Sequence, residues 1–146
     1  MRSLVTAMLV TGITLIFLGC DRAPTGAPIP WQSSIPLGIE AAETGQPILV
    51  YFTATWCVPC RKMEAGPLQS ASVTEAIKAF VPVKIDIDQQ PKTAEAYFAE
   101  ATPAFFILDQ GGVVRARAVG YHTPEDLVAY LNESAALLAD ERADIP

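Results

Sequence analysis

Residues 48–60 read Ile-Leu-Val-Tyr-Phe-Thr-Ala-Thr-Trp-Cys-Val-Pro-Cys, an apolar run that ends in two cysteines separated by two residues. The β-branched and aromatic residues predict a buried strand, and the cysteines follow where a helix is expected to begin. Cys57 would then lie at the helix N-terminus, where unpaired backbone N–H groups and the helix dipole stabilise a thiolate. Cys60 lies one turn further on, close enough to attack a mixed disulfide formed by Cys57. The pattern predicts dithiol–disulfide exchange.

Length and composition indicate one globular domain. The chain has 146 residues, of which 51% are hydrophobic and 18% charged, and this is enough apolar material for one core. The formal net charge is −6 at pH 7, and the acidic residues are scattered along the chain. Because no basic face is expected, nucleic acid is excluded as a partner.

The N-terminus has the composition of an export signal. Arg2 provides a positive charge, residues 4–18 are mostly apolar, and Gly19 is the small residue expected before a cleavage site. The apolar stretch is shorter than the roughly 20 residues that a spanning helix needs. The Leu-Gly-Cys sequence that ends at Cys20 resembles the end of a bacterial lipobox, whose cysteine is acylated. We therefore predict a lipoprotein-type signal peptide at residues 1–19 and lipidation of Cys20.

Two other interpretations of this segment stay open. It could be an uncleaved signal anchor, or an ordinary secretory signal in which Cys20 is incidental. All three interpretations export residues 21–146. Asp21 resembles the signal that retains lipoproteins in the inner membrane of some Gram-negative bacteria. The expected location is therefore the cell envelope, on the periplasmic face of the inner membrane.

Composition also divides the exported part of the chain. Residues 20–36 contain four prolines among small and polar residues, which predicts an extended, semi-rigid tether to the membrane. Residues 37–142 are expected to form the folded domain, and residues 143–146 a short tail.

Export changes the meaning of the cysteines. With Cys20 lipidated, Cys57 and Cys60 are the two remaining thiols of the chain. On the chain-entropy estimate, a disulfide that closes so short a loop stabilises a fold by only ~2 kcal/mol, against ~4 kcal/mol or more for a long loop. A redox-active pair is therefore favoured over a structural one.

Alternation and capping signals predict the element order βαβαββα. Strands are expected at residues 48–54, 81–88, 103–108 and 113–118, the last two as an antiparallel hairpin around Gly111-Gly112. Helices are expected at residues 36–44, from Cys57 to Gly66-Pro67, from a Ser72–Glu75 capping box to about Phe80, from Pro91 to about Ala99, and from Thr123 onward. This order indicates an α/β fold with helices on the faces of a mixed sheet.

These residues carry a family pattern, because the chain resembles thioredoxin over roughly residues 46–138. The matching features are Trp56-Cys57-Val58-Pro59-Cys60, Lys84 to Pro91, Thr102-Pro103, the Gly111-Gly112 turn and Gly120. A lone Cys-x-x-Cys is a weak signal, but the strand before it and Thr-Pro opening a later strand make it specific. The resemblance implies a thioredoxin fold, a single α/β domain with a central mixed β-sheet flanked by helices. Val58 and the Arg-Lys pair after Cys60 are most similar to membrane-tethered, extracytoplasmic proteins of the TlpA type.

The resemblance also implies the roles of the central residues. Cys57 is the attacking thiolate and Cys60 the resolving thiol, and together they form the redox disulfide. Pro103 matches the family's cis-proline, which lies against the Cys-x-x-Cys motif and lets neighbouring backbone pair with a substrate peptide. Thr102 occupies a position that touches substrate in the family.

Two further residues are expected to support the cysteines. Trp56 is interpreted as a partly exposed platform beside the sulfurs, with simple packing as the alternative role. Pro59 stiffens the first helical turn and, since it lacks an N–H group, limits competing hydrogen bonds to the sulfur. No cofactor or metal is implied.

One departure from the family concerns proton transfer. The family's buried Asp, a proton acceptor behind the resolving cysteine, falls at Tyr51 in this chain. A phenol with an unperturbed pKa near ~10 is a poor general base at neutral pH. Lys84 matches the family's lysine near that position. Glu64 and Asp86 are conceivable substitutes for the carboxylate, although surface roles are favoured, and slower resolution or a water-mediated route is expected.

Other chemistries fit the sequence less well. A structural zinc site needs four ligands, and only His122, expected to be exposed near the start of the last helix, could add to the cysteine pair. A copper-binding metallochaperone is the better metal alternative, with Met63 as a soft ligand. Copper carriers of this fold usually space their cysteines by three residues rather than two. A module that only binds partners is disfavoured because both cysteines and Pro103 are intact.

The sequence therefore predicts an exported, monomeric thiol–disulfide oxidoreductase that is anchored to the membrane by lipid. Resemblance to tethered reductases favours reduction of disulfides in client proteins. In an oxidising compartment such a reductase needs a membrane thiol donor to recharge it. A disulfide oxidase or isomerase is the alternative.

Overall fold

The computed structural model of the protein describes residues 25–143. Its helices are α1 (Ile35–Ala41), α2 (Val58–Ala65), α3 (Ala71–Ile77), α4 (Pro91–Ala96) and α5 (Pro124–Ala143), with a 3₁₀ turn at Pro67–Gln69 between α2 and α3. Its strands are β1 (Ile48–Thr53), β2 (Val81–Asp86), β3 (Ala104–Leu108) and β4 (Val114–Val119). Within residues 25–143, none of the helices has the length and apolar character needed to cross a membrane. The predicted signal peptide and Cys20 lie outside the described residues.

The four strands form one mixed sheet in the order β2-β1-β3-β4. β1 runs parallel to β2 and antiparallel to β3, and β3 and β4 form an antiparallel hairpin. A parallel pair needs a crossover connection, and α2 and α3 provide it between β1 and β2. The predicted thioredoxin fold, a single domain with a mixed sheet flanked by helices, is confirmed.

The central strand β1 separates two hydrophobic cores. Every residue of β1 is buried, as expected for a strand that has a neighbour on each side and helices on both faces. Because side chains alternate along a strand, Val50 and Phe52 enter one core, whereas Leu49 and Tyr51 enter the other. The second core also contains Met63 of α2 and apolar residues of α3 and α5. The strand is thereby fixed in position, and so is the point at which it ends.

The residue that opens α3 differs from the prediction. Ser72 is not the N-cap; Ser70 is, and its Oγ accepts a hydrogen bond from the backbone N–H of Val73 at 3.3 Å. Ser70 follows the 3₁₀ turn directly and has the extended backbone conformation that an N-cap requires. The predicted Ser72–Glu75 capping box is therefore wrong, because the cap lies two residues earlier, at Ser70.

Helix α4 ends earlier than predicted, at Ala96 instead of about Ala99. The backbone N–H of Tyr97 still bonds to the carbonyl of Thr93 at 3.2 Å, but Phe98 has a φ of +54°. A right-handed helix cannot continue through that left-handed conformation. The chain leaves the helix at Phe98 and turns toward β3.

The segment before α1, which belongs to the predicted tether at residues 20–36, packs on the domain from Thr25 onward. Thr25 pairs with Ser70, and Gln32 pairs with Val83 of β2. The N–H of Gln32 donates to the carbonyl of Pro82 at 2.8 Å, which satisfies a backbone group on the outer edge of β2. The segment therefore covers part of an edge that would otherwise be open.

Candidate active site

The two cysteines lie where β1 ends and α2 begins. β1 ends at Thr53, Cys57 is the N-cap of α2, and the N–H of Cys57 donates to the carbonyl of Ala54 at 3.1 Å. The backbone N–H of Cys60 donates to the sulfur of Cys57 at 3.1 Å, so the sulfur takes the place of the usual N-cap oxygen. Cys57 and Cys60 are joined by a disulfide, with 5.3 Å between their Cα atoms. Reduction would place a Cys57 thiolate against the first turn of a helix.

The sulfurs are shielded in the oxidised form, whereas the residues beside them are exposed. Cys57 is 2% exposed and Cys60 is 1% exposed. Trp56 and Val58, on either side of Cys57, are 63% and 53% exposed. A polypeptide that approaches Cys57 therefore meets apolar surface first.

Thr102 and Pro103 lie at the same end of the sheet as the cysteines. β1 and β3 are antiparallel and pair Phe52 with Ala104, so the start of β3 lies beside the end of β1. The Thr102–Pro103 peptide bond is cis, and the carbonyl of Pro103 accepts a hydrogen bond from the N–H of Gly120 at 2.8 Å. The hydroxyl of Thr102 is buried and has no hydrogen-bond partner among residues 25–143. Residues far apart in the chain thus meet at one edge of the domain.

Trp56 and Pro59 occupy the surface around the disulfide. The Nε1–H of Trp56 donates to Oδ2 of Asp88 at 2.7 Å, which fixes the indole although most of it faces solvent. Pro59 is exposed in the first turn of α2, where its missing N–H group costs no helical hydrogen bond. Both residues are therefore held in place without being buried.

Tyr51 is fully buried behind the resolving cysteine. Its ring stacks on Phe105 with 4.8 Å between centroids, and its hydroxyl donates to the backbone carbonyl of Cys60 at 3.4 Å. Burial raises the pKa of Tyr51 to about 12, and the carboxylate of Glu64 nearby acts in the same direction. The phenol is therefore protonated at neutral pH and cannot serve as a general base.

A groove of about 590 Å³ opens behind Cys60 and contains an ion pair. Nζ of Lys84, on β2, lies 2.8 Å from Oε1 of Glu64, on α2, and both side chains are half-buried. The hydroxyl of Thr53 donates to the same Glu64 oxygen at 3.4 Å. Cys60, Thr53, Glu64 and Lys84 all line this groove. Sequence reasoning named Lys84 and Glu64 separately and favoured a surface role for Glu64, but it did not predict that they pair, because they come from different elements.

The second conceivable carboxylate, Asp86, has a local structural role. It lines the same groove, but its Oδ1 accepts hydrogen bonds from the backbone N–H groups of Asp88 at 2.9 Å and Gln89 at 3.2 Å. These bonds turn the chain after β2, and they explain why the strand ends at Asp86 rather than at Asp88 as predicted. Glu64 is therefore the carboxylate of the groove that is not committed to its own backbone.

His122 is not exposed, contrary to the prediction. It is half-buried, its ring lies edge-on to Phe105 with 6.1 Å between centroids, and its Nε2 is buried without a partner among the described residues. The prediction is wrong because the residues before α5 fold back onto the second core, where the N–H of His122 donates to the sulfur of Met63 at 3.4 Å. Met63 is itself fully buried. Residues 25–143 contain no group of three His, Cys, Asp or Glu side chains that could hold a metal ion.

Phe98 is a second feature that sequence reasoning missed. Its side chain is 72% exposed and its φ is +54°, an uncommon conformation for a bulky residue. It precedes Thr102 and Pro103 in the same loop. No sequence signal marked it, because the helical pattern of α4 continues past the point where the helix ends.

Comparison with known proteins agrees with this geometry. A family model described as a thioredoxin-like domain matches residues 38–135. A thioredoxin H-type from Fagopyrum esculentum is 38% identical over 89 residues, which cover 59% of this chain and 71% of that protein. A thioredoxin from Alicyclobacillus acidocaldarius is 35% identical over 92 residues, which cover 63% of this chain and 85% of that protein.

Solved structures lead to the same conclusion. The crystal structure of thioredoxin NaTrxh from Nicotiana alata is similar with a TM-score of 0.57 and 28% identity, and the match covers 68% of this chain and 83% of that one. The family model spans more than half of the chain, and the Cys57–Cys60 pair lies within it. The chain therefore belongs to the thioredoxin-like family and is a thiol–disulfide oxidoreductase.

Proposed function

We propose that the protein is an exported, lipid-anchored thiol–disulfide reductase of the TlpA type that acts on disulfides of client proteins. Cys57 attacks the client disulfide, and Cys60 closes the Cys57–Cys60 disulfide and releases the reduced client. Thioredoxin-like proteins act on protein disulfides, so the client class follows from the family.

The observation that carries this proposal is a combination of two segments in one chain. The first 19 residues have the composition of an export signal and are followed by Cys20, whereas Trp-Cys-Val-Pro-Cys-Arg-Lys at residues 56–62 resembles the dithiol segment of tethered reductases. A lipoprotein signal joined to a redox dithiol favours a function at a membrane surface.

The fold adds a geometric support. Thr25 already pairs with Ser70 of the domain, and it lies five residues after Cys20. Five residues span at most about 18 Å when fully extended. An acyl chain on Cys20 would therefore hold the domain close to the membrane. There a membrane thiol donor could reduce the Cys57–Cys60 disulfide again, and a monomer would be enough for this exchange.

The reduction potential of the Cys57–Cys60 couple tests the direction. The purified protein is equilibrated with glutathione or dithiothreitol buffers, and the reduced fraction is measured by alkylation. A value near the roughly −270 mV of thioredoxin supports a reductase that depends on a donor. A value near −120 mV identifies an oxidant whose thiolate is stabilised, and the direction proposed here is then wrong.

Acylation of Cys20 is tested separately. The full chain is expressed in a Gram-negative host with a labelled fatty acid, beside a Cys20→Ser control. The wild type should carry label in the membrane fraction, and the Cys20→Ser chain should carry none. Equal labelling of both chains, or none in either, removes the lipid anchor from the proposal without affecting the exchange activity.

A further inference from the structure

Closing the disulfide requires a buried thiol to lose its proton. Cys60 is 1% exposed, so bulk water does not reach its sulfur freely in the closed structure. Tyr51, which stands behind it, is a protonated phenol with a pKa raised to about 12. Since the thiolate and not the thiol is the nucleophile, another group must receive the proton before Cys60 can attack.

Glu64 has the position that such a group needs. It follows Cys60 by one helical turn on α2, so the two residues lie on the same side of the helix. Both line the groove of about 590 Å³, a volume that has room for water molecules. A carboxylate in this groove therefore shares one solvent-accessible space with the resolving cysteine.

The neighbours of Glu64 hold its carboxylate in place. Nζ of Lys84 lies 2.8 Å from Oε1, and the hydroxyl of Thr53 donates to the same oxygen at 3.4 Å. These two contacts come from β2 and β1, whereas Glu64 itself is on α2. Oε2 has neither contact and is the oxygen available to a water in the groove.

The other charged or titratable groups around the groove are already engaged. Asp86 of β2 caps the turn that follows its own strand through two backbone N–H groups. Arg61 of α2 donates from Nη1 to the backbone carbonyl of Thr55 at 2.9 Å. Tyr51 of β1 is a protonated donor to the carbonyl of Cys60. Glu64 is thus the acceptor that these contacts leave available.

We propose that Glu64 accepts the proton of the Cys60 thiol through a water molecule in this groove, with Lys84 as a positioning residue. The Cys60 S–H bond breaks and the proton passes by way of the water to the Glu64 carboxylate. The Cys60 thiolate then forms a bond with the sulfur of Cys57, the bond between Cys57 and the client sulfur breaks, and the electron pair leaves with the client thiolate. Glu64 finally returns the proton to solvent or to the client thiolate.

This inference rests on the exchange activity of the protein and not on the proposed direction or location. The experiment follows one turnover of the reduced, full-length protein with one equivalent of a chromogenic aromatic disulfide. The first phase of thiolate release reports the attack of Cys57, and the second phase reports closure by Cys60. A wild type that shows no first phase would contradict the activity itself, whereas the comparison of second phases tests Glu64.

Glu64→Gln should slow the second phase by about 10²-fold at pH 7, the lower end of the usual contribution of a general base, since the groove is open to solvent. The first phase should keep its wild-type rate. The deficit should shrink as the pH rises past about 8.5, because hydroxide then ionises the thiol without help. Lys84→Met should give a smaller deficit with the same pH dependence.

Glu75→Gln is the matched control, because Glu75 also pairs with a lysine, Lys78, but on the exposed surface of α3. It should behave as wild type in both phases at every pH. A Glu64→Gln protein with wild-type second-phase rates overturns the proposal. A second-phase deficit of Glu64→Gln that stays constant across pH also overturns it, because this would indicate a structural role. The same holds if Asp86→Asn shows a pH-dependent deficit and Glu64→Gln shows none.

Discussion

The two cysteines of the motif face different environments. Around Cys57, the side chains of Trp56 and Val58 are mostly exposed and apolar. Behind Cys60, a groove contains the half-buried Glu64–Lys84 ion pair. The difference separates two tasks, because exposed apolar surface suits contact with many polypeptides, whereas a charged groove suits the movement of a proton.

The largest expected effect comes from replacing the cysteines themselves, which tests whether the two have different roles. Cys57→Ser should abolish exchange with a client disulfide, because it removes the attacking thiolate. Cys60→Ser should instead accumulate a mixed disulfide through Cys57, because nothing resolves it. Non-reducing electrophoresis and mass spectrometry of both variants with a disulfide-containing protein would check this. Accumulation in Cys57→Ser but not in Cys60→Ser would show that the two roles are reversed.

The next largest effect concerns Tyr51, the buried tyrosine behind Cys60. Tyr51→Ala removes a buried ring that stacks on Phe105 at 4.8 Å, and we expect it to lower the free energy of unfolding by about 3–5 kcal/mol. Tyr51→Phe loses only a long hydrogen bond and should cost about 0.5–1.5 kcal/mol. Urea denaturation measures both. Tyr121→Ala, at a tyrosine that is 51% exposed, is the control and should change stability by less than about 0.5 kcal/mol.

Alkaline pH should reduce the contribution of Tyr51 to the stability of the fold. Burial raises the pKa of Tyr51 from 10.0 to about 12, so between those values the unfolded chain releases a proton that the folded chain keeps. The contribution of Tyr51 is therefore complete below pH 10 and falls by about 2–3 kcal/mol as the pH rises toward 12.

Denaturation measured from pH 9 to pH 12 tests this expectation. Burial also raises the pKa values of Tyr97 and Tyr130, so the wild type loses stability through these residues as well. Tyr51→Phe should make the decline shallower than it is in the wild type. Identical slopes for Tyr51→Phe and the wild type would contradict the assignment to Tyr51.

The smallest expected effect is at the exposed side of the disulfide. Asp88→Asn weakens the hydrogen bond of 2.7 Å that fixes the Trp56 indole. A bond of this kind is worth about 1 kcal/mol, so the rate of the first attack should fall by no more than about five-fold. Stopped-flow kinetics with a chromogenic disulfide would measure it. A loss of first-phase rate as large as the second-phase loss in Glu64→Gln would contradict the separate tasks assigned to the Cys57 and Cys60 sides of the disulfide.

Much of the fold could be predicted because its signals are local. The run at residues 48–54 is apolar throughout, and only a central strand covered on both faces is buried in that way. The end of α2 at Gly66-Pro67 and the start of α5 at Thr123 also follow from residues that stop or cap a helix. These elements required no knowledge of the rest of the chain.

The errors occur where a neighbouring element overrides a local signal. Ser72 has the sequence pattern of a cap, but the preceding 3₁₀ turn gives the capping geometry to Ser70. His122 is polar and lies in a loop, but the loop is folded onto the second core. Polarity and spacing along the chain do not report such contacts.

The sequence by itself determined the chemistry of this protein, because two cysteines with two residues between them, after a buried strand and with Thr-Pro opening a later strand, are typical of an exchanging dithiol. Only the tertiary structure decided what surrounds that dithiol. Glu64 and Lys84 lie 20 residues apart in the sequence, and their side chains meet because β2 pairs with β1 beside α2. Proton transfer depends on distance in space, and strand pairing sets that distance.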